Sequence, residues 1–225
     1  MTERADSDQV AIPDDERIKV LKAYESIYTY EEKRSKFICH LFPVVTEEDV
    51  SISIASIRKR YHDASHNCYA YMLFNDGIIL RKSSDDGEPK GTAGLPMLKV
   101  LEANMIYDTL LIVTRYFGGV LLGTGGLARA YAKTASEGIA LSEKVRLVES
   151  CLIHMVLSYH DYKKVENLLR ENDIVLDEID FFDRVEIRFY IPSYSVSDIV
   201  KKAADKTDGR ALINIGDSMM REVTL

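Results

Sequence analysis

Residues 146–225 alternate between strand and helix patterns in an order that few folds accommodate. In the strands apolar residues alternate with polar ones, as Val185, Ile187 and Phe189 do, whereas the helices space them three and four positions apart. The predicted elements are, in order, the strand Arg146–Tyr159, a helix that Asp161 opens, the strands Ile174–Ile179 and Arg184–Ile191, the helix Val196–Lys206 and the strand Ala211–Val223. This β-α-β-β-α-β order predicts a ferredoxin-like domain.

The first half of the chain predicts a different, mixed α+β domain. Its elements are two strands at Ile27–Lys33 and Ser35–Val45, a helix capped by Thr46, a hairpin of Cys68–Phe74 and Ile78–Lys82 with a turn at Asn75–Gly77, a helix at Pro96–Ala103, a strand at Thr109–Thr114 and a helix at Leu127–Ser142. We therefore expect two domains, at 18–143 and 146–225, after an acidic, flexible tail at 1–17.

Charge and cysteine usage limit the function classes. The chain has 29 Lys and Arg against 36 Asp and Glu, so it is not a protein that coats nucleic acid by bulk charge. The net charge by segment is −4 for 1–33, 0 for 34–80, +2 for 81–133 and −5 for 134–225, which leaves a local basic site open. Three scattered cysteines, no secretory signal and no long apolar run predict a cytoplasmic protein outside the membrane.

A glycine-rich run joins a predicted buried strand to the helix that we expect to start at Leu127. Glycines permit close backbone approach, and free amides at a helix N-terminus bind anions. The alternative is a tight strand-to-helix crossover in which the glycines serve packing alone. The run matches neither the P-loop nor the dinucleotide fingerprint. The candidate residues for binding an anion or nucleic acid are Lys90, Arg115, Gly118, Gly119, Gly123, Thr124, Gly125, Gly126 and Arg129.

A second polar run, Ser84–Gly94, contains three carboxylates within four residues. It lacks the alternating ligand spacing of an EF-hand loop, and we predict no metal or cofactor. Asp86 and Glu88 remain candidates for a polar site, and Lys90 is a candidate phosphate contact. The alternative, which we favour, is a rigid turn with solvated carboxylates, followed by a helix with Thr92 as its N-cap.

The third feature is His66-Asn-Cys68 at the start of a predicted strand. By residue type, His62, His66 and Cys68 could bind zinc, or Cys68 and His66 could form a nucleophile–base pair. A buried cysteine beside a hydrogen-bonded histidine is the commoner arrangement, because free cysteine usually packs as a small core residue. We therefore assign no catalytic residue here, and His66 stays a candidate for the polar site.

Taken together, these segments resemble the YigZ/IMPACT family, and the resemblance covers nearly the whole chain. It rests on Arg34-Ser-Lys-Phe37, His66-x-Cys68, Asp85-Asp86-Gly87-Glu88-Pro89-x-Gly91-Thr92-Ala93-Gly94-x-Pro96, Arg115-Tyr116-Phe117-Gly118-Gly119 and Leu122-Gly123-x-Gly125-Gly126-Leu127-x-Arg129-Ala130-Tyr131. It implies a first domain like domain IV of elongation factor G, a ferredoxin-like second domain and a role tied to translation. No catalytic residues come with it.

Two hypotheses follow. The first is a translation-associated binding protein that contacts RNA, the ribosome or a translation factor through the glycine-rich face of its first domain. The alternative is a hydrolase or phosphotransferase acting on a small phosphorylated metabolite, with Asp86 or Glu88 as base or magnesium ligand and Gly123–Gly126 holding phosphate. We favour binding, because the sequence contains no P-loop, no H-E-x-x-H zinc motif and no nucleophile elbow.

Overall fold

A computed structural model describes residues 17–75 and 78–224. These residues divide into two compact units, one that runs to Arg146 and includes Val223, and one that comprises Leu147–Glu222. The predicted acidic tail lies outside the described residues except for Arg17, and so do Asp76 and Gly77 of the predicted hairpin turn.

The N-terminal unit is built on a five-stranded antiparallel sheet with the strand order β2-β3-β6-β4-β5. In chain order its elements are β1 (Arg17–Val20), β2 (Tyr24–Glu32), β3 (Ser35–Pro43), α1 (Glu47–Arg60), β4 (His66–Asn75), β5 (Ile78–Ser84), α2 (Gly94–Ala103), β6 (Thr109–Tyr116) and α3 (Gly123–Leu141). The short strand β1 forms a bridge from Ile18 to Ile106 and buries Val20 in the core.

Both faces of this sheet are covered, which explains why the middle of the central strand β6, Leu110–Val113, is a continuous apolar run. Leu111 and Val113 belong to the core beneath α2 and α3, whereas Leu110 and Ile112 belong to the core beneath α1. Because successive side chains of a strand point to opposite faces, a strand covered on both sides has no polar positions to alternate with. The unit therefore has three layers, with α1 opposite α2 and α3.

Helix α1 has the cap that its sequence predicts. Thr46 Oγ1 accepts a hydrogen bond from the Asp49 backbone N–H at 3.1 Å, and the Asp49 carboxylate accepts from the Thr46 N–H at 2.9 Å. Val50 and Ile57 are buried on the face toward the sheet, as the predicted apolar stripe requires.

The C-terminal unit is ferredoxin-like, so the predicted fold class is confirmed. Its strands lie in the order β10-β7-β9-β8, with α4 and α5 contributing to one apolar core. The elements are β7 (Lys144–Leu157), α4 (Tyr159–Glu171), β8 (Glu178–Phe181), β9 (Val185–Pro192), a 3-10 turn (Ser193–Ser195), α5 (Val196–Lys206) and β10 (Leu212–Thr224).

Two predicted boundaries in this unit were wrong. The strand expected at Ile174–Ile179 begins only at Glu178, because the Ile174 N–H is used in closing the end of α4 on the Leu169 carbonyl at 2.9 Å. Helix α4 starts before Asp161, since Ser158 is its N-cap and accepts from the Asp161 N–H at 3.1 Å. No helix in the described part of the chain is both long and apolar enough to span a membrane.

Candidate functional site

The three polar segments that the sequence singles out meet in the N-terminal unit and form one hydrogen-bonded cluster. Residue Glu88 comes from the loop before α2, Arg115 from the end of β6 and Tyr131 from α3. Cys68 and His66 come from the start of β4. We call these five residues the buried cluster; four of them are buried, and His66, with its side chain 23% exposed, lies at the edge.

Arg115 lies inside this cluster and is only 4 % exposed. Its Nη1 donates to Glu88 Oε1 at 2.6 Å, and its Nη2 donates to Ser35 Oγ at 3.2 Å. The guanidinium also lies near the rings of Phe37 and Phe117, at 5.3 and 5.4 Å from their centroids. The predicted role of Arg115 as a surface phosphate donor therefore does not fit its position, because its charge is compensated internally by Glu88.

Glu88 is 8 % exposed, so it is not a solvated turn residue as the favoured sequence alternative expected. One of its oxygens, Oε1, accepts from both Arg115 and the Tyr131 hydroxyl, the latter at 2.8 Å, and lies 3.9 Å from His66 Nε2. Burial raises the pKa of Tyr131, which keeps its hydroxyl a donor. A buried carboxylate needs such partners to remain charged.

Cys68 closes the cluster on the sheet side. Its thiol donates to the Asp85 carbonyl at 2.9 Å and lies 3.3 Å from the Tyr131 hydroxyl. Burial raises the pKa of the Cys68 thiol, and a protonated, buried thiol is a poor nucleophile. This agrees with the reading of Cys68 as a core residue.

Asp85 caps α2, and Thr92 does not. The Asp85 carboxylate accepts from the backbone N–H groups of Gly91, Ala93 and Gly94 at 2.7 to 2.9 Å. Burial alone would raise the pKa of Asp85, but these three donors outweigh it and lower the pKa below its ordinary value. The expected N-cap Thr92 instead donates its hydroxyl to the Pro89 carbonyl at 2.6 Å, and Ala93 occupies the N-cap position.

Asp86 anchors the loop to the start of β4. Its carboxylate accepts from the Asn67 N–H at 2.7 Å and from Arg58 Nη2 at 2.6 Å, and its carbonyl lies 2.8 Å from His66 Nδ1. Asp86 and Glu88 are thus both engaged within the protein. No cluster of His, Cys, Asp and Glu suited to a metal ion occurs among residues 17–75 and 78–224.

The glycines of the run serve two different purposes. A Cβ on Gly118 would lie 2.1 Å from the Arg34 carbonyl carbon, so this glycine allows two backbones to touch. Gly119 and Gly123 have φ of 81° and 70°, a region that side chains disfavour, and an added Cβ would meet nothing there. The packing explanation therefore accounts for Gly118 and leaves the glycines that follow it open to another role.

Helix α3 begins at Gly123, four positions before the predicted Leu127, so the glycines form its first turn. Its N-cap, Leu122, provides no side-chain hydrogen bond, and the first turn contains no acidic residue. Arg129 is exposed and folds back on this turn, since a Cβ added at Gly125 would lie 3.5 Å from Arg129 Nη1. We call Gly123–Gly126 with Arg129 the α3 entry.

Apart from Gly118 and Gly119, the structure separates the predicted site residues into two groups. His66, Glu88 and Arg115 belong to the buried cluster, with Asp86 bonded to its edge. The second group is at the surface: the α3 entry, with exposed Thr124 in its first turn, and Lys90. Lys90 adjoins Gly91, which lines a groove together with Arg129.

Sequence reasoning missed Ser35, Asp85 and Tyr131 as members of these networks. Ser35 Oγ also accepts from the Gly118 N–H at 3.2 Å and so ties the glycine run to β3. All three residues lie within the motifs that carry the family resemblance. Their position in these motifs is the signal from which their part in the hydrogen-bond networks could have been inferred.

Comparisons with known proteins cover both units. Residues 33–139 match the Impact N-terminal domain, and residues 155–210 match a domain of unknown function, DUF1949.

The chain is 40% identical over 188 residues to the IMPACT family member YvyE of Bacillus subtilis, covering 82% of this chain and 85% of the relative. It is 33% identical over 180 residues to the IMPACT family member YigZ of Escherichia coli, covering 80% and 88% of the two chains. A crystal structure titled as that of a hypothetical protein shares 28% identity and a TM-score of 0.52, covering 88% of this chain and 95% of that one. The predicted resemblance is confirmed, and the chain belongs to the IMPACT family.

Proposed function

We propose that this chain is a cytoplasmic, translation-associated binding protein whose N-terminal unit contacts RNA phosphates through the α3 entry. The observation that carries the proposal is the first turn of α3, a 19-residue helix that starts without a side-chain cap and without an acidic residue. The helix dipole and the unpaired amides of such a turn favour a negatively charged oxygen.

Arg129 supplies the formal charge that the helix terminus lacks. Its guanidinium is exposed and lies beside Gly125, so one phosphate can meet backbone amides and a guanidinium together. Lys90 adds a second exposed cation on the loop before α2. Arg115, which compensates Glu88, is not part of this contact.

The charge distribution supports a small contact area. The net charge of −7 opposes RNA over most of the chain, whereas residues 81–133 carry a net charge of +2. We expect few phosphates to be neutralised, and hence a shallow salt dependence of the binding constant, because each phosphate contributes a slope of roughly 0.7 for a single strand. The family resemblance, which implies a tie to translation, is in keeping with RNA as the ligand.

The hydrolase or phosphotransferase alternative fits the site less well. It needs Asp86 or Glu88 to act as a base or to hold magnesium. Asp86 is hydrogen-bonded to Asn67 and Arg58, and Glu88 is ion-paired to Arg115. Neither carboxylate is free to take a substrate proton without breaking these contacts.

Fluorescence anisotropy with a labelled single-stranded RNA tests the proposal. We expect Arg129→Gln to weaken binding by about tenfold, the effect of one charge-assisted contact of roughly 1.4 kcal/mol. The matched control is Arg170→Gln, which removes an exposed arginine from α4 of the C-terminal unit and should leave the affinity unchanged. Equal affinities for the two variants, or no binding by the native chain at low salt, would refute the assignment.

A further inference from the structure

We propose that the groove between α2 and α3 binds an amphipathic helix of a protein partner, one that carries acidic residues beside its apolar stripe. The groove has a volume of about 620 Å³ and lies on the solvent side of both helices. Its described lining is mainly apolar: Leu95, Pro96, Val100, Ala103, Ala128 and Ala132.

The shape of the groove favours a helix as its occupant. Besides Arg129, the lining residues on α3 are Ala128, Ala132 and Ser136, which recur every fourth position and have small side chains. Small residues in one row leave a shallow channel parallel to the helix axis, into which the ridge of another helix packs. On α2, Leu95 is 47 % exposed and forms an apolar edge of this channel.

The charge of the groove specifies the occupant further. Lys99 and Arg129 line it and are both exposed, and none of the described lining residues is an Asp or a Glu. The nearby acid of α2, Glu102, is paired with Arg81 at 3.3 Å, away from the groove. A partner with carboxylates at the edges of its apolar face would meet complementary charge and gain in association rate and specificity.

An RNA strand fits this groove less well than a peptide does. Phosphates would satisfy Lys99 and Arg129 but would leave Leu95, Val100 and the three alanines in contact with charged groups or water. The groove also extends beyond the α3 entry, because Lys99 and Ser136 belong to no part of it. The inference is therefore separable from the proposed RNA contact, with which it shares Arg129.

The test uses the full chain and a labelled synthetic peptide of four helical turns, with leucines at every third and fourth position flanked by glutamates. A matched peptide replaces each glutamate by lysine. We expect the acidic peptide to bind at least tenfold more tightly than the basic one. Lys99→Glu should remove this preference, because the new carboxylate offsets the charge of Arg129. Ser136→Trp, at an exposed position, should fill the channel and abolish binding of both peptides.

Lys163→Glu, on an exposed face of α4, is the control and should change neither affinity. The RNA affinity of Lys99→Glu should stay within about threefold of the native value, which separates failure of this inference from failure of the RNA assignment.

No binding of the acidic peptide, or equal binding of both peptides, would overturn the inference. So would a tenfold gain in peptide affinity on removal of residues 2–16, which include six acidic residues and would then be the groove's occupant. Self-association that Ser136→Trp abolishes would likewise overturn it, by assigning the groove to a second copy.

Discussion

The two units differ in the polar and charged side chains that they bury. In the N-terminal unit, Arg115 and Glu88 form an ion pair in which both side chains are buried, and His40 is completely enclosed between strands. In the C-terminal unit the corresponding buried acid, Asp161, has a partner at the surface, because the Arg210 side chain is 53% exposed. The described core of that unit is otherwise made mainly of aliphatic residues and Phe189.

This contrast indicates that different interactions hold the two units together. Buried ion pairs cost desolvation free energy and are weak contributors to net stability, and we infer that this pair serves to fix geometry. Here the pair holds the loop before α2 against the end of β6, and Tyr131 ties both to α3. The elements that carry Lys90 and the α3 entry are thereby fixed to one another, whereas the C-terminal unit is held by apolar packing.

The largest expected effect comes from breaking the buried pair. Glu88→Gln should destabilise the N-terminal unit by about 3–5 kcal/mol, because it leaves the Arg115 charge buried without a counter-charge. Hydrogen exchange of β6 and β9, followed by mass spectrometry, reports each unit separately. Protection should fall in β6 and persist in β9.

Glu178→Gln is the matched change in the other unit. It removes the carboxylate that accepts from Arg188 Nη1 at 2.8 Å, but that carboxylate is 64% exposed. We expect a loss below about 1 kcal/mol, as for surface pairs in general. If the two variants lost the same stability, the contrast between the units would be wrong.

The second effect concerns pH. Burial lowers the pKa of His40 to about 4, and the neutral ring accepts from the Ser26 N–H at Nδ1 while Nε2 lies 3.0 Å from Thr114 Oγ1. The unfolded chain has a histidine pKa of about 6.5, so it binds the proton first. The contribution of neutral His40 to the free energy of unfolding is therefore fully present above about pH 6.5. It falls by about 3 kcal/mol as the pH drops toward 4, because the unfolded chain then binds the proton.

Urea unfolding at a series of pH values measures this loss. His40→Gln replaces the titrating ring by an amide that does not titrate. The fall in the free energy of unfolding between pH 6.5 and 4 should therefore be smaller in this variant. An unchanged pH profile in His40→Gln would assign the acid sensitivity to other groups of the molecule.

Alanine substitution of two glycines in the same run should have effects of different size. Gly118→Ala places a Cβ against the Arg34 backbone and should cost about 1–3 kcal/mol, the typical penalty of overpacking. Gly125→Ala meets only the end of the Arg129 side chain and should change stability by less than about 1 kcal/mol. Thermal unfolding measures both, and a lower stability of the Gly125 variant would show that its glycine serves packing.

The smallest expected effect is one that the two units should share. Thr46 caps α1 and Ser158 caps α4, each by accepting from a backbone N–H of its helix at 3.1 Å. Thr46→Ala and Ser158→Ala should each cost about 1 kcal/mol in urea unfolding. A large difference between the two losses would mean that a cap in one unit has a further contact.

The sequence predicts those helices and strands whose apolar residues recur with a strong period. It says little about which residues contact one another. The Thr46 cap and the β-α-β-β-α-β order follow from local spacing, so they could be inferred. The start of α3 could not, because glycine is a poor helix former, so helix propensity does not place the first turn at Gly123–Gly126.

The buried cluster was beyond local reasoning for another reason. Glu88 and Arg115 are 27 residues apart in sequence, and Glu and Arg are usually exposed unless they are paired. In isolation, Asp-Asp-Gly-Glu looks like a solvated turn and Arg115 like a surface donor. Only the strand order, with β6 between β3 and β4, brings Ser35, His66 and Arg115 side by side.

Glycine-selective ¹⁵N NMR during titration with a short single-stranded RNA tests most directly whether the α3 entry binds phosphate. The chain has twelve glycines, so their amides sample both units in one spectrum. Gly123, Gly125 and Gly126 should shift most, and their shifts should weaken in Arg129→Gln, while Gly209 and Gly216 of the C-terminal unit stay in place. Shifts confined to Gly209 and Gly216, or RNA binding that leaves the α3 glycines unmoved, would contradict the assignment of the binding site to the N-terminal unit.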